Sequence, residues 1–206
     1  MNITNFFDFI FYFNKKFFYL SSNIDFFSHS AIIKVSENSG YGRITMSQMD
    51  YKYRVNFVKG TTDKWDEYVK IFDNSPLYEH YFKGTDTLRE WVYGPLEAGN
   101  VIVAETEAGE PVGLMVYDMM GMYGELPYLA LLGVKENYRG KGIGDQLIDI
   151  YFGICKGMNF NKCFIAVSDF NPRAKALYQK KGFKPLLLVP DLLKKGIGEW
   201  LLMKNL

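Results

Sequence analysis

The sequence predicts an α/β fold in which a mixed, mostly antiparallel sheet is flanked by helices. Two observations lead to this class. Short apolar runs alternate with segments whose apolar residues recur at helical spacing. Two pairs of these runs are joined by short turn-rich links, which is typical of antiparallel hairpins. With 206 residues and 48% hydrophobic content, the chain is long enough for one domain with an ample core plus an extension.

The elements are expected in the order strand, two helices, three strands, helix, strand, helix and two strands. The apolar runs that predict strands are at 53–58, 100–106, 111–118, 128–134, 163–167, 186–189 and 199–203. The first two helices should begin after the capping sequences 61–63 and 85–86. A glycine-rich segment joins the central strand to the third helix, and an Asn-Pro pair at 171–172 begins the last one.

The first fifty residues do not share this pattern. Their aromatic run is too short and too polar for a spanning helix, which needs about twenty mostly apolar residues. It also lacks the charge order and small residues of a secretory signal. We therefore expect an extension of uncertain order or origin at 1–50, one domain at 51–206 and no stable membrane span. The extension is a surface-binding or partner-binding segment, a poorly ordered segment, or sequence upstream of a start at Met46 or Met49.

The most informative segment is residues 139–144, Arg-Gly-Lys-Gly-Ile-Gly, which we call the glycine loop. It lies between a buried strand and the first turn of a helix, where backbone amides have no partner and the helix dipole is positive. Glycines let a phosphate approach such amides, and Arg139 and Lys141 add positive charge. A Walker loop is excluded because no Lys-Ser/Thr pair follows Gly142, and the dinucleotide pattern fails at Asp145.

A second informative segment follows the next strand. Asn171 and a proline fit the start of a helix. Ala174, Leu177 and Tyr178 share one face of that helix. Gly182 fits a left-handed residue at its end.

Together these segments resemble two motifs of the GNAT N-acetyltransferase superfamily. Arg-x-x-Gly-x-Gly in the glycine loop resembles the family's acetyl-CoA pyrophosphate loop, and Ala-x-x-Leu-Tyr-x-x-x-Gly-Phe at 174–183 resembles the helix that follows. The resemblance covers roughly residues 51–206. It implies a GNAT-like sheet whose central strands splay apart, with acetyl-CoA as cosubstrate.

The resemblance also implies which residues bind the cosubstrate. The pantetheine arm is expected to lie between the splayed strands and to pair with the backbone of one of them. The strand residues are Leu132, Gly133 and Val134, and the loop residues that receive the diphosphate are Arg139, Gly140, Lys141, Gly142, Ile143 and Gly144. Asn171 is expected to hydrogen-bond the arm as well as cap its helix.

The implied reaction is direct transfer of an acetyl group to a primary amine. Tyr178 matches the family tyrosine that protonates the leaving thiolate, and a phenol with an ordinary pKa of about 10 suits that role. Glu125 precedes the central strand, where some members place a carboxylate base. Asp118, or a water chain without a single base, are alternatives.

Composition limits the other functions. A net charge of +1 argues against a general nucleic-acid binder, and no residue cluster has zinc-ligand spacing, so no metal is expected. Cys155 and Cys163 are interpreted as reduced core residues of a cytoplasmic protein. His29 and His80 lie in unrelated segments, which argues against a Cys-His nucleophile.

Three functions remain open from the sequence. The first is an N-acetyltransferase acting on a small-molecule or peptide amine, with a homodimer left open. The second is a non-catalytic acyl-CoA-binding sensor or partner module. The third is an enzyme that uses a longer acyl-CoA, which the missing side chain at Gly133 and the Met-rich run at 115–122 would permit.

Overall fold

The computed structural model describes residues 53–206 and, before them, only the backbone of 32–33 and 44–45. These two dipeptides form the short antiparallel strands β1 (Ile32–Ile33) and β2 (Ile44–Thr45). The other expectations for the extension at 1–50 lie outside the described residues.

The elements of the described domain occur in the predicted order. The strands are β3 (Asn56–Lys59), β4 (Val101–Glu105), β5 (Pro111–Met122), β6 (Leu126–Val134), β7 (Lys162–Ser168), β8 (Lys184–Pro190) and β9 (Gly198–Asn205). The helices are α1 (Trp65–Tyr68), α2 (Thr87–Glu97), α3 (Ile143–Gly157) and α4 (Pro172–Lys180). Short 3-10 turns flank α1 and precede the glycine loop, and a π-helical turn spans Tyr78–Phe82.

Strands β3 to β9 form one sheet in the order β3-β4-β5-β6-β7-β9-β8. Every neighbouring pair is antiparallel except β6 and β7, which run parallel. A parallel pair needs a crossover, and α3 provides it. The predicted mixed, mostly antiparallel sheet is therefore confirmed.

The two central strands, β6 and β7, separate soon after they meet. Their pairing in the described structure is limited to Tyr128 with Phe164 and Leu129 with Ile165. On the other side of β6, Val116 pairs with Leu131 while Tyr117 pairs with Leu129, so Ala130 is an extra residue. Such a bulge bends its strand, which is consistent with β6 diverging from β7 as the resemblance implied.

Apolar side chains cover both faces of the sheet. Helix α3 packs on one face, where Ile143, Leu147, Ile148 and Tyr151 are almost fully buried. On the other face α1, the 3-10 turn after it, the π-helical turn and α2 contribute buried side chains, namely Tyr68, Ile71, Phe72, Phe82 and Val92. Cys155 and Cys163 are both free and buried in the first of these cores, as expected.

The link before the central strand differs from the sequence-based expectation. Residues 121–127 were expected as a turn-rich connection, but Met122 pairs with Leu126 and only the residues between them form the turn. Tyr123 and Gly124 have φ angles of 56° and 74°, which lets the chain reverse so tightly. The composition therefore indicated a turn correctly but overestimated its length.

No helix in the described part of the chain combines the length and the apolar character that crossing a membrane requires.

Candidate active site

The glycine loop connects the end of β6 to the start of α3. Gly140 and Gly142 have φ angles of 80° and 84°, in the left-handed region that glycine adopts without strain. Gly142 is the residue immediately before α3. The backbone amides of 140–145 donate no hydrogen bond to a protein acceptor among the described residues. The junction therefore presents a row of unclaimed donors at the positive end of a helix dipole.

The guanidinium of Arg139 forms hydrogen bonds within the protein and is therefore not available to a ligand alone. Its Nε donates to the carbonyl of Val134 at 2.9 Å, and its two terminal nitrogens donate to the carbonyls of Asn74 and Asp73 at 2.9 and 3.0 Å. These bonds attach the segment after α1 to the end of β6. Burial, opposed by the nearby Glu136 carboxylate, lowers the pKa of this guanidinium, which nevertheless remains a cation.

Two further cations lie near the loop, and neither is among the sequence-predicted site residues. A Cβ added at Gly140 would lie 3.7 Å from a terminal nitrogen of Arg173. Lys180 lies 3.3 Å from the carboxylate of Asp145. Arg173 is in the first turn of α4, so only the packing of α4 beside α3 reveals its proximity to the loop.

A cavity of about 980 Å³ extends from the loop to the sheet, and we call it the wide cavity. Its lining includes every sequence-predicted cofactor residue: Leu132, Gly133, Val134, Arg139, Gly140, Lys141, Gly142, Ile143, Gly144 and Asn171. Arg139, Lys141, Arg173 and Lys180 outnumber the single acidic lining residue, Asp145. The wide cavity is therefore electropositive and suits an anionic ligand.

Gly133 makes room for a protein side chain. A Cβ built at this position would lie 2.5 Å from the ring of Phe72, closer than real contacts allow. Phe72 is 1% exposed, so its ring is held in the core against the strand. The missing side chain at Gly133 thus accommodates Phe72 and does not itself provide space for a longer acyl chain.

A second cavity of about 80 Å³ lies in the gap between β6 and β7, and we call it the narrow cavity. Four aromatic side chains line it: Tyr81, Trp91, Tyr128 and Tyr178. The narrow cavity is much smaller than the wide cavity.

One acidic residue, Glu199 on β9, lies in the lining of the narrow cavity and is only 3% exposed. Its Oε1 accepts a 2.6 Å hydrogen bond from the hydroxyl of Tyr81 and a 2.7 Å bond from that of Ser168. These two hydroxyls are themselves 3.2 Å apart. Burial raises the pKa of the Glu199 carboxyl, although both hydrogen bonds act in the opposite direction.

The two cavities share part of their lining. Leu77, Leu132, Asn171, Ala174 and Tyr178 line both. The Oδ1 of Asn171 accepts the amide of Ala174 at 3.2 Å, which confirms its role as a helix cap and leaves its Nδ2 group as the donor for a ligand. Tyr178 is 6% exposed, and burial raises the pKa of its phenol.

Glu125 is far less suitably placed. It is exposed in the turn between β5 and β6 and lines neither cavity. The geometry therefore gives no support to the base role that its sequence position suggested. The carboxylate inside the narrow cavity is Glu199, which sequence reasoning missed because only the pairing of β9 with β7 brings it beside Ser168. The only available signal was a carboxylate at the start of an apolar strand.

Comparison with known proteins identifies the family of the chain. Residues 65–183 match the Acetyltransferase (GNAT) family. The chain is 31% identical over 130 residues to a thialysine N-epsilon-acetyltransferase of Bos taurus, a match spanning 58% of this chain and 72% of that protein. A GNAT family acetyltransferase from Bacillus cereus shares the fold, with a TM-score of 0.57, 18% identity and coverage of 74% of this chain and 98% of the other. A chain of the NatC complex bound to Gag peptide and CoA does so with a TM-score of 0.59, 15% identity and coverage of 75% and 99%.

The family match covers more than half of the chain, and the bovine relative is matched over more than two thirds of its length. At the identities of the two solved structures, similarity concerns the fold alone. The sequence matches carry the assignment further: the chain belongs to the GNAT acetyltransferase family and is an acyltransferase that transfers acetyl groups.

Proposed function

We propose that the enzyme transfers an acetyl group directly from acetyl-CoA, held in the wide cavity, to a primary amine held in the narrow cavity. The observation that carries this proposal is that the cavities meet at Leu132, Asn171 and Tyr178. A thioester entering from the wide side and an amine entering from the narrow side would meet there. Direct transfer requires only this junction and no covalent enzyme intermediate.

The wide cavity has the chemistry that a CoA ester needs. Amides of the glycine loop can donate to the diphosphate, and charge-assisted hydrogen bonds of this kind are the stronger ones. Lys141, Arg173 and Lys180 supply additional positive charge. Beyond the bulge at Ala130, residues 132–134 of β6 diverge from β7 and can pair with an extended amide-bearing arm. The NatC complex, one chain of which shares this fold, was solved with CoA bound, and this supports the assignment.

Two groups of the protein would stabilise the reaction at the junction. A backbone amide near Val134 can donate to the oxygen that becomes negative when the amine attacks the thioester carbonyl. Tyr178 can donate to the sulfur as the carbon–sulfur bond breaks. The burial that raises the pKa of this phenol would also raise that of a leaving thiol, so the two remain comparable.

The acceptor assignment rests on relatives and on the small size of the narrow cavity. The bovine relative is named for an N-epsilon amine of thialysine, and the NatC structure contains a peptide. We infer that the acceptor is a primary amine on a small molecule or a peptide. A cavity of about 80 Å³ suits the reacting end of such an acceptor better than a bulky ring system.

A thiol-release assay tests the proposal. Wild-type protein with acetyl-CoA and a panel of primary amines should release free CoA thiol, while Tyr178→Phe should lower kcat about 100-fold with the CoA dissociation constant changed less than about twofold. Thiol release that is absent with every amine, despite CoA binding by calorimetry, would instead identify a non-catalytic acyl-CoA-binding module.

Three properties of the whole molecule complete the proposal. We place catalysis in residues 51–206 and assign none to the extension at 1–50. We propose a cytoplasmic location, with which two free, buried cysteines are consistent. The homodimer stays a prediction. Strand β8 lies at the edge of the sheet and exposes Leu186, Leu187 and Leu188. Sedimentation of the full chain would test whether it dimerises.

A further inference from the structure

The buried carboxylate of Glu199 is a feature that the glycine loop and the Tyr178 helix do not explain. It comes from β9, its partner Ser168 from β7, and its partner Tyr81 from the π-helical turn. Burying a carboxylate is costly, and burial raises the pKa of Glu199 although hydrogen bonds from Tyr81 and Ser168 act in the opposite direction. A neutral glutamine could accept the same two hydrogen bonds. The folded structure alone therefore gives no reason for a negative charge at this position.

The residues around Glu199 in the narrow cavity indicate which kind of ligand its charge would suit. Among the residues that line this cavity there is no Lys, Arg or His, so Glu199 supplies its only ionisable charge of either sign apart from the tyrosines. Both hydroxyl donors contact Oε1, so Oε2 is the oxygen with capacity for a ligand. The rings of Tyr81, Trp91 and Tyr128 surround the remaining space. Aromatic faces and a carboxylate together favour an organic cation.

The dimensions of the cavity restrict that cation further. A cavity of about 80 Å³ favours an unbranched alkyl chain ending in an ammonium group over a large head group. Tyr178 lines the same cavity, so an ammonium held by Glu199 would lie on the acceptor side of the proposed reaction centre.

We propose that Glu199, held by Tyr81 and Ser168, binds the ammonium of a cationic alkylamine acceptor and takes its proton, making Glu199 the general base and selecting alkylamines over amines that are neutral at neutral pH. This inference rests on the proposed acetyl transfer and names its acceptor class. Glu199 replaces Glu125 as the acid–base carboxylate of the site.

The proton balance of the step is complete. Glu199 Oε2 removes one proton from the ammonium, which frees the nitrogen lone pair to attack the thioester carbonyl carbon. As the carbon–nitrogen bond forms and the carbon–sulfur bond breaks, Tyr178 gives its proton to sulfur and regains one from the acylated nitrogen. Glu199 then releases its proton to solvent, so an ammonium and a thioester yield an amide, a thiol and one proton.

Glu199 must be ionised to accept a proton, and its neighbours determine the pH at which it ionises. Tyr81 and Ser168 lower its pKa by hydrogen bonding, whereas burial and the nearby Asp169 carboxylate raise it. Tyr128 on β6 also faces Glu199 and titrates only at high pH, because burial raises its own pKa. In the pH profile of kcat/KM for the amine, the fall on the acidic side, or acid limb, should therefore lie above the ordinary range of carboxyl pKa values.

The main experiment compares Glu199→Gln with wild type, using acetyl-CoA with n-butylamine or with aniline, which is uncharged at neutral pH. Wild type should favour n-butylamine, and Glu199→Gln should lower kcat/KM for n-butylamine about 100-fold or more while CoA binding by calorimetry changes less than about twofold. Glu105→Gln is the matched control. Glu105 is also a buried strand carboxylate, paired with Lys64 at 2.9 Å, but it lines neither cavity.

A second variant, Tyr81→Phe, distinguishes a catalytic role of Glu199 from a purely structural one. Tyr81→Phe removes one hydrogen bond that favours the ionised carboxylate, so the pKa of Glu199 should rise and the acid limb should move to higher pH. In Glu199→Gln that limb should disappear. A purely structural role would change the amplitude of the profile without moving the limb.

The outcomes separate the two proposals. Unchanged kcat/KM and an unchanged acid limb in Glu199→Gln would overturn the role of Glu199 and leave acetyl transfer intact. A wild-type enzyme that prefers aniline would overturn the proposed acceptor class and likewise leave acetyl transfer intact. Wild type that binds CoA but releases thiol with no amine would overturn the proposed function and, with it, this inference.

Discussion

The two cavities that meet at Tyr178 would recognise the proposed ligands by opposite means. The wide cavity is electropositive, and its central feature is a row of backbone amides within one short loop. The narrow cavity is acidic and aromatic, and its key groups, Tyr81, Tyr128, Ser168 and Glu199, come from four separate elements. One site thus depends on backbone geometry and the other on side-chain identity.

This difference indicates in which of the two cavities a substitution can change the specificity of the enzyme. Backbone donors persist whatever the neighbouring side chains are, provided that glycine keeps the loop open. In the narrow cavity a single substitution alters the charge or the shape presented to the acceptor. We therefore expect substitutions on the wide side to affect cosubstrate affinity and those on the narrow side to affect turnover and acceptor choice.

On the wide side, Arg173→Ala should separate cosubstrate affinity from turnover most clearly. Removing this cation beside the glycine loop should weaken CoA binding about tenfold and reduce the dependence of binding on salt, because a charge-assisted contact is lost. At saturating acetyl-CoA, kcat with n-butylamine should stay within about twofold of wild type.

Calorimetry at two salt concentrations, followed by steady-state kinetics, measures both effects. Lys184→Ala is the matched control, since Lys184 is an exposed cation on β8 that lines neither cavity. A fall in kcat with unchanged CoA affinity would contradict the division between the cavities.

On the narrow side, stability and activity should respond in opposite directions. Burial raises the pKa of Glu199, so the folded state binds this proton more tightly than the unfolded state. The stability it contributes is present below the ordinary carboxyl pKa and is lost as pH rises through the raised value. At neutral pH, Glu199→Gln should therefore be at least as stable as wild type while being much less active.

Urea denaturation at neutral and acidic pH tests this expectation. The stability difference between variant and wild type should shrink as the pH falls below the ordinary carboxyl range, where both side chains are uncharged. If Glu199→Gln is instead clearly less stable at neutral pH, the carboxylate has a structural role, and its loss of activity would need another explanation.

The contrast between the cavities also explains what the sequence could predict. The glycine loop and the Asn171 helix are contiguous segments with local chemistry, so Gly142, Asn171 and Tyr178 could be proposed as site residues before the fold was known. Arg173 needed the packing of α4 against α3, where Leu177 approaches Gly144. Glu199 needed the pairing of β9 with β7, and Tyr81 needed the docking of the π-helical turn over the sheet.

The sheet was predictable for similar reasons. Alternating or continuous apolar runs located the strands, and the resemblance supplied the separation of the central pair. The bulge at Ala130 was not predictable, because its sequence context is an uninterrupted apolar run with no residue that marks an extra position. The close contact of Phe72 with Gly133 was hidden as well, since the two residues are far apart in the chain.

The smallest expected effect concerns Glu125, the carboxylate that sequence position alone favoured. It is exposed in the β5–β6 turn, outside the lining of both cavities, so a proton on a bound amine would have no direct path to it. Glu125→Gln should leave kcat/KM for n-butylamine within about twofold and keep the acid limb, whereas Glu199→Gln should remove that limb. Measured in parallel, the two pH profiles decide between the carboxylates: a limb that disappears in Glu125→Gln and survives in Glu199→Gln would return the base to the turn and leave the buried acid of the narrow cavity without a catalytic role.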